Sequence, residues 1–327
     1  MRRRTVVSLI GAGLMWPELV AAQSVDRPHR IALLVGGEND RERQANRAAF
    51  EQGLQSLGWV SGRNIVITDR QYGADAGLAK VYSRELVSLA PDVILTTGTA
   101  GIRATLEQTR TIPIVFTRVS DPVGLGLVSN LAHPGGNATG FTNFEFTTGG
   151  KWLQTLKEVA PNITRVAMVG NPETSAFEFY FRSFTEAAQA MSIEPIAARV
   201  HDPNEMKRAI ANVGENSQGG VIVLPDAFML RYSAEIITHA AKSGVPAIYP
   251  FRFYAANGGL VSYGIDTNEQ FRKAASYVDR ILKGARPGDL PVQEPDKYEL
   301  AINLKTANAL GITVPQSFLL HTDDVIE

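Results

Sequence analysis

A short apolar run that the chain spells twice constrains its fold more than any other feature. Arg30-Ile31-Ala32-Leu33-Leu34-Val35-Gly36-Gly37 ends in glycines, and an amphipathic pattern follows through Phe50, Leu54 and Leu57. An apolar run bounded by turn residues and followed by a helical period is a buried strand feeding a helix. Arg165-Val166-Ala167-Met168-Val169-Gly170 repeats that wording later in the chain. The echo continues: Gly220-Val221-Ile222-Val223-Leu224-Pro225-Asp226 stands where Asp92 to Thr99 stood. Val245-Pro246-Ala247-Ile248-Tyr249 matches Ile112-Pro113-Ile114-Val115-Phe116, down to the proline in second place. The three pairs are separated by nearly equal stretches of chain. Any two parallel sheets share short apolar runs, but equal spacing favours repetition. The expectation is an α/β protein of two doubly wound parallel-sheet lobes joined by a hinge.

Other elements fill in between. Asn64 to Tyr72 reads as a strand and Leu78 to Leu89 as a helix; Ile102 to Leu106 and Trp152 to Val159 are also helical. The stretch Val119 to Phe146 holds Pro122, Pro134, Gly135 and Gly136, which suits either a surface loop or a first crossing between lobes. Leu260 to Gly264 is a strand, and Asn268 to Lys283 a helix assigned back to the first lobe. Arg286 to Pro291 ends that helix, and Tyr298 to Leu310 closes the fold. The resulting division is 30–141 plus 263–291 for one lobe and 142–262 plus 292–327 for the other. Three crossings make a hinge that opens and closes.

A chain of 327 residues, 44% of them hydrophobic, exceeds what one core serves, which agrees with two lobes. A formal net charge of -1 gives no footprint for nucleic acid. The absence of cysteine removes disulfides, thiolate metal sites and a thiol nucleophile. At the start, Arg2, Arg3 and Arg4 precede an apolar run from Val6 to Trp16, then Pro17 and small residues ending Val20-Ala21-Ala22. Residues 1–22 therefore read as a secretory signal peptide, cleaved before Gln23. The run is too short to anchor in a bilayer, and export by the general or the twin-arginine route stays open.

In open parallel sheets, ligands bind beyond the carboxyl ends of the strands. Those positions are Gly36, Gly37, Thr97, Gly98, Thr99, Ser120 and Asp121 in the first lobe. In the second they are Asn171, Asp226, Tyr249 and Phe251, with Ser262 and Tyr263 at the return crossing. Hydroxyls at helix starts hold a carboxylate, and a facing Asp226 pairs an ammonium, so together they clamp a zwitterion between aromatic walls that include Phe228. Each has a second reading. Thr97 and Thr99 suit a helix cap, Asp226 a cap or turn, Asp121 before Pro122 a turn opener, and the aromatics packing.

Catalytic motifs are missing. Thr148-Gly149-Gly150-Lys151-Trp152 has only the Gly-Lys of a phosphate loop, no G-x-G-x-x-G follows a strand, and no G-x-S-x-G occurs. The five histidines show no metal spacing, so no metal or cofactor is expected.

The segments GWVSGRNIVI (58–67), IPIVFTRVSDPVGLGLVSNLAHPGGNATGF (112–141), GGLVSYGID (258–266), YVDRILKGARPGDLPVQEPDKYELAINLKTANALG (277–311) and the tail DDVIE carry a resemblance across nearly the whole mature chain. The chain resembles the ABC transporter substrate-binding proteins of the tryptophan/tyrosine type, a branch of the type I periplasmic binding proteins. That resemblance implies a hinged periplasmic solute receptor, soluble after signal-peptide removal, serving an inner-membrane permease and its ATPase as a monomer. It puts Thr97 to Thr99, Ser120, Asp121 and Asp226 on cleft positions, and departs from the family at Gly37, where a serine is frequent. The implied solute is an aromatic or branched amino acid, with a small aromatic or aliphatic carboxylate as the alternative. A regulator built on the same lobes needs a DNA-reading helix pair where this chain has a signal peptide. A secreted enzyme using the cleft is the remaining alternative.

Overall fold

The computed structural model describes residues 27–37, 40–215 and 218–327; the expected signal peptide, residues 1–22, lies outside them. Five strands form the first sheet: β1 (His29–Gly36), β2 (Ile65–Gly73), β3 (Val93–Thr97), β4 (Ile114–Val119) and β5 (Ala138–Thr142). They lie in the order β2-β1-β3-β4-β5, all parallel. The second sheet takes β6 (Arg165–Gly170), β7 (Glu194–Arg199), β8 (Gly219–Val223), β9 (Ala247–Tyr249), β10 (Val261–Gly264), β11 (Glu299–Asn303) and β12 (Asp324–Ile326). Its order, β12-β11-β10-β9-β8-β6-β7, contains the winding of the first sheet. The sequence echo is thus an echo of topology.

Two features differ from the simple expectation. The stretch 119–146 is not all loop, because Ala138–Thr142 inside it is a fully buried edge strand paired with β4. Its small residues and flanking glycines conceal it. The second sheet is also mixed at one edge, where β11 runs antiparallel to β10 and β12 parallel to β11.

The Thr267–Leu282 helix starts on Asp266, whose carboxylate accepts from the Asn268 amide. Its face of Phe271, Ala274, Ala275, Val278 and Ile281 packs with Ile31, Leu33, Phe50 and Leu54 of the first sheet and its helix. The chain passes from the first sheet to the second after β5, back after β10, and across again before β11. The first and third passages are tied by the Thr142 amide donating to the Gln293 carbonyl at 2.9 Å, and the Gln293 amide to the Gly140 carbonyl at 2.9 Å.

Gln270 joins the passages to the sheet. Its Nε2 donates to the Thr142 carbonyl at 2.7 Å, and its Oε1 accepts from the Arg118 amide at 2.9 Å. Gln270→Leu keeps the bulk and removes both bonds, so it is expected to cost about 2 kcal/mol, read as a lower urea midpoint at unchanged slope.

The core of the second lobe gathers around Trp152, which has no exposed surface. Its ring centroid lies 5.0 Å from that of Phe144 and 5.2 Å from that of Tyr180, and its Nε1 donates to the Tyr263 carbonyl at 2.8 Å. A large aromatic buried with its one donor satisfied anchors this end of the lobe to β10.

Candidate functional site: the junction between the lobes

The strand ends of the two lobes meet. Gly37, just beyond β1, has φ of +73°, and a Cβ placed on it would lie 2.5 Å from Cα and 2.7 Å from the carbonyl oxygen of Ala227, just beyond β8. Ala227 packs with Ala32, Leu34 and Tyr72 of the other lobe. On the hinge side, the Tyr180 hydroxyl, from the helix after β6, bonds the Ser120 hydroxyl beyond β4. Ser120 Oγ in turn donates to Asn143 Oδ1 at 2.9 Å, on the first passage. Tyr180 has no exposure, so desolvation drives its pKa far above the usual phenol value and its proton stays in the bond.

Several expected site residues lie at this junction. Thr97 is the residue before the Gly98–Gln108 helix, but its hydroxyl makes no cap; it accepts from the Gly36 amide at 3.0 Å. Gly98 takes φ of +73°, and Thr99 is buried in the first helical turn. The Thr97 carbonyl accepts from the Tyr72 hydroxyl at 2.8 Å, which fixes the turn from below.

Asp226 is buried at the head of the Ala227–Arg231 helix, and its carboxylate is heavily engaged. Oδ1 accepts from the Met229 amide at 2.8 Å and Thr174 Oγ1 at 3.2 Å, and Oδ2 from the Asn171 amide at 3.0 Å. The cap alternative therefore describes what Asp226 does in this structure. Burial pushes its pKa up to about 6, against the pull of those donors. Asn171 turns the chain beside it, with its Oδ1 accepting from the Glu173 amide at 2.8 Å.

The aromatics divide. Tyr249 is buried and stacks on Tyr254 with centroids 4.9 Å apart, and Phe251 lies 6.0 Å from Phe144 near the junction. Phe228 packs on Tyr232 at 4.8 Å. Tyr263 stacks on Tyr298 at 5.3 Å and lines a groove of about 260 Å³ with Lys151, Thr155, Phe318 and His321, away from the Gly37–Ala227 contact. Asp121 orders its own loop: at φ of +45° its Oδ1 accepts from the Gly124 amide at 2.8 Å.

The sequence reading missed four residues here. Arg118, 6% exposed with φ of +54°, donates from Nη2 to the Gly36 carbonyl at 3.1 Å. A charge inside the apolar run Ile114 to Val119 was its signal. Asn143, Tyr180 and Ala227 carried none, since an amide in a crossing, an aromatic in an amphipathic helix and an alanine are all ordinary. Among the described residues no group of three or more His, Asp or Glu is placed to hold a metal, and no helix is long and apolar enough to cross a membrane.

Two lobes of one winding, linked by three passages and closing strand ends against strand ends, define a hinged two-lobed binding protein. Residues 31–326 match the family described as ABC transporter substrate binding protein, and the chain belongs to it. Membership implies a small-molecule solute and a transporter partner. A tyrosine-binding protein of Clostridioides difficile (strain R20291) is 27% identical over 268 residues, covering 81% of this chain and 76% of that one. The structure of an ABC domain in complex with L-Trp from Streptococcus pneumonia is 22% identical, with a TM-score of 0.85 over 91% of this chain and 100% of that one. The ligand-free, open structure of a substrate binding protein with adhesive properties from Clostridium difficile is 24% identical, with a TM-score of 0.66 over 91% and 99%.

Proposed function

We propose that this protein is the exported, periplasmic solute receptor of an ABC importer. It binds an aromatic amino acid between its lobes and delivers it to a permease and its ATPase in the inner membrane. In this reading it acts as a monomer, needs no cofactor and releases its solute unchanged. Gly37, Thr97 to Thr99, Ser120 and Asn171 line the solute's side of the junction, with Phe251 and Tyr249 behind them. The observation that carries the reading is the direct meeting of the lobes at Gly37–Ala227 and Ser120–Tyr180, the arrangement of a binding protein with its lobes closed. The overall shape, nearer the Trp-bound relative than the open one, supports it. The chemistry of those relatives supplies the solute class.

A second reading, a receptor for a carboxylate without an amine, is favoured by one fact: the oxygens of Asp226 already accept from Asn171, Thr174 and Met229. One screen separates the two. Protein from Gln23 onward, refolded free of solute, is melted with amino acids, amine-free aromatic and aliphatic carboxylates, and aromatic amines. A ligand at a hundred times its Kd stabilises by about 2.7 kcal/mol, a rise of a few degrees. L-tryptophan, L-tyrosine or L-phenylalanine is expected to give it. A response to amine-free carboxylates alone selects the second reading, and silence from the whole panel removes both.

A further inference from the structure

The bonded chain at the junction ends in a donor with nothing to donate to. Tyr180 bonds Ser120, and Ser120 bonds Asn143 Oδ1. Asn143 has no exposed surface, and its Nδ2 has no acceptor. A buried amide donor left without an acceptor costs about 1–3 kcal/mol, so native proteins give such a group a role or a partner. This one sits where the second lobe, through Tyr180, meets the first lobe, through Ser120, and the passage between them. Asn143 itself is held there by its backbone N–H donating to the Val119 carbonyl at 3.2 Å.

We propose that Asn143 reads the solute, its Nδ2 donating to a carboxylate oxygen. This rests on the reading of the junction as the solute site and names the group recognised there. The donor's chemistry selects the acceptor: an amide N–H needs an oxygen to accept it, and on an amino acid the carboxylate is the strong acceptor. The facing carboxylate, Asp226, has its oxygens taken within its own lobe. The device also couples recognition to closure. Ser120 donates to Oδ1 only with the amide turned so that Nδ2 faces away, and Tyr180 reaches Ser120 only when the lobes meet. Ser120 and Tyr180 are positioning residues, and Asn143 is the contact.

The test is titration calorimetry of solute-free protein with three kinds of probe: L-tryptophan and L-tyrosine, their amine-free analogues indole-3-propionate and 3-(4-hydroxyphenyl)propionate, and tryptamine and tyramine, which lack the carboxylate. Asn143→Ala is expected to weaken every carboxylate-bearing probe about 10- to 100-fold, the loss of one hydrogen bond to a charged group. Asn143→Asp, which sets a second anion against the carboxylate, weakens them further. Tyr180→Phe removes only a hydroxyl from a packed ring. It is expected to weaken the same probes about 3- to 10-fold, with no added loss when combined with Asn143→Ala.

An amide turned the other way would offer its carbonyl to an ammonium. Asn143→Asp would then retain or improve binding of the amines, and that result overturns the proposal. Unchanged affinity in Asn143→Ala overturns it too. If Asn143→Ala does not fold, Tyr180→Phe decides in the same way. Wild-type protein that binds aromatic amino acids with indifferent variants removes this inference alone; wild-type protein that binds no carboxylate removes it together with the proposed function.

Discussion

Gly37→Val is expected to lower solute affinity more than a hundredfold while the solute-free protein melts within a few degrees of wild type. Two causes act at one atom. At φ of +73° a β-branched residue is strained, which costs about 1–2 kcal/mol in any state that keeps this backbone. The larger effect is steric and confined to the closed state. A Cβ 2.5 Å from a backbone carbon of Ala227 has no flexible neighbour to displace, so the lobes must stand further apart. Apparent affinity falls in proportion to the closed fraction that remains, and a penalty near 3 kcal/mol on closure is already more than a hundredfold. Small-angle scattering checks the cause. With solute present the wild type contracts, and the variant keeps the radius of gyration of its solute-free form. A variant that contracts and binds like wild type would remove Gly37 from the closing surface.

How much of this the sequence reveals differs between fold and site, for a physical reason. Strands β1, β3, β4, β6, β8 and β9 are largely buried on both faces, so each carries a short apolar run, and their recurrence exposes the doubled winding. The edge strand Glu194–Arg199 leaves no such mark: its residues are part-exposed and include Pro195, so no buried apolar run announces it. Strand ends point to the region of the site, because topology fixes where strands end. The roles of side chains there depend on groups far off in sequence. Ser120 suits a ligand hydroxyl until Tyr180 and Asn143 are seen to engage it. Gly37 looks like a missing contact until Ala227 is seen to require its bareness. Resemblance to a family narrows the region in the same way and leaves the partners of each atom to the structure.

Asp226→Ala is expected to destabilise the second lobe by about 3–5 kcal/mol and to weaken amino acids and amine-free carboxylates alike. A residue whose only task is to pair a solute's ammonium would behave differently, since its removal spares protein stability and simple carboxylates. Here the carboxylate satisfies Asn171 and Met229 amides and the Thr174 hydroxyl, all buried, and each donor left unpaired costs about 1–3 kcal/mol. The loosened helix start carries Ala227, the residue that meets Gly37, so closure suffers whatever the solute. Asp226→Asn adds a pH signature. The folded pKa is raised to about 6, chiefly by desolvation, so the folded state binds the proton more tightly than the unfolded chain does. The stability this proton contributes is fully present below about pH 4, the ordinary carboxylate range, and is lost as pH rises through about 6. Asparagine has no such proton. The stability difference, wild type minus Asp226→Asn, is therefore expected to shrink between pH 4 and pH 7, by an amount on the order of 3 kcal/mol. Urea melts of the two proteins across that range measure it; a flat difference would place the Asp226 carboxylate in a solvated setting, and one that grows would show its donors outweighing burial.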